Sequence, residues 1–184
     1  MGSPRIMVVD ADRSDGSELC VMLHSAGHEV IRGARDQQSL AGLPARGHGL
    51  DLTVPVGDAT DASVVLTTIE DTVGTLNALV IPVEPVEGSI TARVRAVSHS
   101  MALAEGLCAA AQAVDLPVFI VGSQAPAVLE FVTGTLEARP ERIAVVDAAE
   151  LLRAMQEPSA RPRRSRWAAR ARRIVRRVLP ERAS

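Results

Sequence analysis

Tyrosine and lysine are both missing from the 184 residues, and all 20 basic side chains are arginine. Mechanisms that need a phenol as proton donor, or an ammonium as pKa-lowering partner or Schiff-base amine, are thereby excluded. Aromatic residues are reduced to Phe119, Phe131 and Trp167. Cysteine is as scarce: Cys20 and Cys108 stand 88 positions apart, with neither metal-binding spacing nor a disulfide framework. That usage fits a reducing compartment, so the expected localisation is cytoplasmic. No apolar run reaches the roughly 18 residues that a membrane span needs. "MGSPRIMVVD" also lacks the charged-then-apolar order of a signal peptide. Neither a Ser-His-Asp order nor a strained G-x-S-x-G elbow is present.

What is there describes an ordinary globular chain of about one domain, 47% hydrophobic with a formal net charge of −2. The near-neutral total conceals a division of charge. Residues 1–160 carry 10 Arg against 21 acids, a balance of −11, whereas residues 161–184 carry 10 Arg against Glu181 alone, a balance of +9.

Short β-rich apolar runs recur along the acidic part: "RIMVV" at 5–9, "HEVIRG" at 28–33, "LTVPVG" at 52–57, "NALVIPV" at 77–83, "PVFIVG" at 117–122 and "RIAVV" at 142–146. Their continuous apolar character suits strands covered on both faces. Between them lie stretches of helical spacing, such as "SELCVMLHSAG" at 17–27, which Gly27 would cap, and "ARVRAVSHSMALAEGLCAAAQAV" at 92–114. Alternating strand and helix imply an α/β fold, a doubly wound parallel sheet with helices on both sides. Prolines and clustered charge in "EPSARPRRSR" mark a boundary. The expected organisation is a domain over 1–155, a linker over 156–165 and a basic amphipathic helix over 166–184.

Three segments together resemble the short-chain dehydrogenase/reductase family, which includes ketoreductases of fatty-acid and polyketide synthesis. "RIMVVDADRSDGSELCVMLHSAGHEVIRGARD" has the shape of the family's first strand, glycine loop, helix and second strand. "VGDATDASVVLTTIEDTVGTLNALV" at 56–80 is similar to its third strand, Asp-containing turn, helix and entry to strand four. "VRAVSHSMALAEGLCAAAQAVDLPVFIVGS" at 94–123 is similar to its long dimerisation helix and fifth strand. The resemblance implies a Rossmann-like sheet of about six strands in the order 3-2-1-4-5-6. It also implies a dinucleotide site in which Gly16 remains from the glycine loop, Arg32 and Arg35 stand where a basic residue recognises the phosphate of NADP, and Asp58 stands where an Asp contacts adenine. The plainer alternative has solvated arginines after a strand and Asp58 capping the helix begun at "DASVV".

Against that pattern, the diagnostic residues are gone. Asp10, Asp12 and Asp15 surround Gly16, and carboxylates repel a pyrophosphate. The family's Asn-Asn-Ala-Gly at strand four is replaced by Ile81, Pro82, Val83 and Glu84, and Ser98 stands near the position of its catalytic Asn. Ser123 falls near the catalytic Ser, but the Tyr-x-x-x-Lys pair has no possible counterpart, and no substrate lid follows. The expectation is a degenerate, truncated member without catalysis or cofactor, a structural or regulatory subunit that forms homo- or hetero-oligomers through the 92–114 helix. On this reading the three acids merely solvate an empty loop or help to make a docking face for arginine. The alternative enzyme is an NADP-dependent reductase of altered chemistry.

Two other readings come from the residues themselves. "RIMVVDAD" resembles the acidic strand end of a response-regulator receiver, with Asp58 as phosphoryl acceptor. That domain also needs a Lys, which the chain lacks, and 33 residues between its fourth and fifth apolar runs are too many. Cys20, His24 and His28 are spaced by four, but Gly27 interrupts the helix, so the bland expectation is a core cysteine and surface histidines.

The basic segment has its own pattern. At 100° per residue, Trp167, Ala171, Ile174, Val175, Val178 and Leu179 share one arc, and Arg166, Arg170, Arg172, Arg173, Arg176 and Arg177 fill the other. Such a helix can lie on an anionic bilayer, as a peripheral attachment, or clamp an acidic protein, including its own body. Nucleic acid is disfavoured as a partner, because phosphates need charge but leave the apolar arc unexplained.

Overall fold

The structure is a computed structural model that describes residues 3–42, 50–54, 59–83, 89–122, 125–135 and 143–156. Asp58, Ser123 and the whole basic segment lie outside the described residues.

All six apolar runs become strands: β1 (Arg5–Val8), β2 (Glu29–Ala34), β3 (Asp51–Thr53), β4 (Ala78–Pro82), β5 (Val118–Val121) and β6 (Ile143–Val146). They form one sheet in the order β3-β2-β1-β4-β5-β6, with every pairing parallel. The chain works outward from β1 to one edge, then returns to pair β4 with β1 on its other side, Ile6 opposite Ala78. This order excludes the receiver, whose doubly wound sheet runs 2-1-3-4-5.

Six helices connect the strands: α1 (Ser14–Ser25), α2 (Gln37–Ala41), α3 (Ala59–Val73), α4 (Ile90–Ala113), α5 (Ala125–Thr135) and α6 (Ala148–Gln156). The period-2 alternation of the strands feeds two cores. Met7, Leu79, Ile81, Val118 and Ile120 face α3, α4 and α5, where Leu66, Ile69, Leu103, Leu107 and Val132 cover them. Ile6, Val8, Val80 and Phe119 face the other way, against Leu19, Cys20 and Leu23 of α1 and Leu151 of α6. Each such Ile or Leu side chain contributes roughly 1.5–3 kcal/mol by leaving water.

Helix ends follow local chemistry. After α1, Gly27 takes φ +87. Its N–H donates to the His24 carbonyl at 2.9 Å and that of His28 donates to Leu23 at 3.2 Å, the paired bonds of a left-handed helix stop. The short α2 was not foreseen. Asp36 caps it, its Oδ1 accepting from the Ser39 N–H at 2.8 Å. That hydrogen bond, ahead of the neighbouring Arg35, holds the Asp36 carboxyl below the usual carboxylate range. Helix α3 starts at Ala59, two residues ahead of the expected "DASVV" start.

Candidate functional site

In an open parallel sheet, ligands bind beyond the carboxyl ends of the strands where the winding direction reverses, here between β1 and β4. The β1–α1 turn forms one wall of that crevice. Its backbone is anchored on both sides: the Val9 N–H donates to Val80 on β4 at 3.1 Å, and that of Ala11 donates to Gly33 on β2 at 2.9 Å. Asp10 takes a left-handed φ of +49 to make the turn, a conformation that Asp tolerates better than most residues. Gly16, in the first turn of α1, is buried against it, and a Cβ there would collide with the Asp10 carbonyl oxygen. Gly16 therefore serves the close packing of the helix on the turn after β1.

Opposite lie the ends of β4 and β5. Gly122 has φ +128, and its missing Cβ makes room for the Val83 carbonyl oxygen. Only glycine fits where the two backbones approach so closely.

The electrostatics of the turn differ from the expectation of acids solvating an empty loop. The Asp10 side chain is only 6% exposed, with Arg13 Nε at 3.7 Å and His99 Nε2 at 3.6 Å from its Oδ2. His99 comes from α4, and its Nε2 has no hydrogen-bond partner among the described residues; neither has the buried Oδ1 of Asp12. Asp15 occupies the first turn of α1, so a carboxylate already complements the positive end of that helix. The site thus places negative charge, one carboxylate deeply buried, where a dinucleotide would bring its own. It can accept hydrogen bonds or attract a donor, but it offers no group matching a phenolic acid.

Of the cofactor-type residues, Arg32 lies in β2 and Arg35 directly follows it. Arg32, 13% exposed, reaches across to β3 in a two-pronged ion pair with Asp51, Nε to Oδ1 and Nη2 to Oδ2 both at 2.6 Å. The strand register sets this pair, Arg32 standing opposite Asp51. Arg35, just past β2, is largely exposed, with Asp36 at 3.5 Å. Ser98, on α4, is exposed beside the half-buried His99. His99 was missed by sequence reasoning, because nothing local marks a partner 89 positions away.

Of the suspected soft-metal trio, Cys20 is core as expected. His28, however, is no surface residue: it is buried, both ring nitrogens lack a partner among the described residues, and burial lowers its pKa from 6.5. Among the described residues no three His, Cys, Asp or Glu side chains could hold a metal ion, and no helix is long and apolar enough to cross a membrane.

Comparison with solved structures places this architecture. A short-chain dehydrogenase from Streptomyces avermitilis matches with TM-score 0.55 and 16% identity, over 80% of this chain and 65% of that one. The fold is that of the short-chain dehydrogenases. A metagenomic short-chain oxidoreductase, solved in complex with NADP, matches with TM-score 0.56 and 18% identity, over 80% of this chain and 81% of that one. The chain thus spans about two-thirds of the length of the Streptomyces enzyme. No family model matches the sequence, and neither does any curated protein.

Proposed function

We propose that this dehydrogenase-fold chain does no redox chemistry and works by binding, as a structural or regulatory subunit that pairs through α4 with a second copy or with an intact reductase of the same fold. The observation that carries the reading is on α4 itself. Ile90, Val94 and Val97, spaced as neighbours on one helical face, are 80%, 60% and 37% exposed. Further along the helix, Ala104 and Cys108 of the same arc are fully buried against neighbouring helices. A contiguous apolar stripe left open in this way is the surface chemistry of an association site. The chain's lack of Tyr and Lys and the buried Asp10 support the non-catalytic half.

Light scattering of the purified chain, alone and with a reductase co-purified from the native cell, tests the pairing. Val94→Asp should convert the assembly to monomer, and a wild-type chain that is monomeric and captures no partner would refute the proposal.

One observation favours a second reading, an NADP-dependent oxidoreductase of altered chemistry. Arg35 is exposed directly after β2, and the metagenomic relative of this fold was solved with NADP. Calorimetric titration with NADPH separates the two: saturable binding lost in Arg35→Ala supports the enzyme, and no heat supports the subunit.

A further inference from the structure

The pairing proposed through α4 makes no use of the basic segment over 163–182. Among the described residues both faces of the sheet are already covered, one by α3, α4 and α5 and the other by α1 and α6. The apolar arc of Trp167, Ala171, Ile174, Val175, Val178 and Leu179 therefore has no vacancy in these cores to fill.

We infer that residues 163–182 bind an anionic lipid surface, forming a helix that lies in the interface with Trp167 at headgroup depth. The apolar arc runs the length of the segment and is made of Ala, Ile, Val and Leu with a single aromatic. It offers no row of large anchors for pockets in a protein partner, but it matches a flat apolar medium. Arg166, Arg170, Arg172, Arg173, Arg176 and Arg177 fill the complementary arc, and no acid interrupts 161–180. The body, at −11 over 1–160, is repelled by the same surface and held off it. The contact is thus confined to the segment.

Trp167 is the sole tryptophan of the chain and reports directly on this contact. With the full chain, vesicles of phosphatidylcholine containing phosphatidylserine should co-float the protein, shift Trp167 emission to the blue and shield it from an aqueous quencher. Pure phosphatidylcholine should bind about tenfold more weakly or less. Arg173→Gln with Arg177→Gln should weaken binding by about tenfold or more, and added salt should do the same. Ile174→Asp with Val178→Asp should abolish the blue shift while leaving thermal unfolding of the domain unchanged. The inference is overturned if anionic vesicles produce neither flotation nor shift. It is equally overturned if Trp167 is already shielded without vesicles and released by salt, the sign of docking on the acidic body, or if an acidic polypeptide or a DNA duplex reproduces the shift and vesicles do not. Val94→Asp, which breaks the pairing proposed through α4, should leave vesicle binding intact, so the two proposals fail separately.

Discussion

Replacing His28 by leucine should stabilise the protein, and the gain should grow as the pH falls. His28 sits between the left-handed Gly27 and the start of β2, buried, with neither ring nitrogen hydrogen-bonded among the described residues. A buried donor or acceptor left without a partner costs about 1–3 kcal/mol, whereas an apolar group of similar size costs nothing of the kind. Allowing for imperfect fit of the branched side chain, the expected gain near pH 8 is about 1–2 kcal/mol. Burial lowers the folded-state pKa of His28 from 6.5, so on the acid side the unfolded chain takes up the proton first. The wild type is then fully stable in this respect above about pH 6.5. It loses stability as the pH drops below that, at up to about 1.4 kcal/mol per pH unit until the folded form titrates as well. The variant has no such loss. Urea unfolding of both proteins from pH 8 to pH 5 measures the difference directly, since the remaining titrating groups are common to both and cancel. A variant that is less stable at pH 8, with a difference that stays flat down to pH 5, would refute the reasoning and mean that the imidazole is hydrogen-bonded or solvated.

Two further outcomes concern Gly16 and Cys108. Gly16→Ala drives a methyl into the Asp10 carbonyl, and the obstacle is backbone rather than a flexible side chain, so a loss of about 1–3 kcal/mol is expected, a fall of several degrees in Tm by calorimetry; an unchanged Tm would mean the turn gives way freely. The Cys108 thiol, pushed up to about 12 by burial, should be inert to a disulfide reagent at pH 8 until the chain is unfolded, and rapid native labelling at that position, read by mass spectrometry, would contradict its place in the core.

The fold was legible because its physics is local. Six continuous apolar runs such as "NALVIPV" mean strands covered on both faces, and "LHSAG" gives the glycine stop of α1 where Gly27 provides it. The strand order came with the resemblance rather than from any periodicity. The candidate site was harder because its decisive contacts depend on register and on distant segments. Arg32 meets Asp51 only because the register of β2 on β3 lays the two side by side, which no local pattern announces. Asp10 reads as a solvated loop acid until α4 brings His99 over it. His28 reads as a surface imidazole because a polar residue beside a helix-stopping glycine is ordinarily exposed, and its burial is visible only in the folded chain.

The position of β1 also sets a timetable for folding. As the chain lengthens, β1, β2 and β3 can pair from residues 5–53, but the other side of β1 stays open until Ala78–Pro82 arrives. Half of the sheet therefore waits on a contact more than 70 residues long in sequence, Ile6 to Ala78, whose loop must be closed before burial rewards it. During that interval the central strand is an unpaired apolar edge, a natural template for another chain. Until Ala78–Pro82 pairs with it, β1 is the place where an encounter with another chain competes with the native sheet.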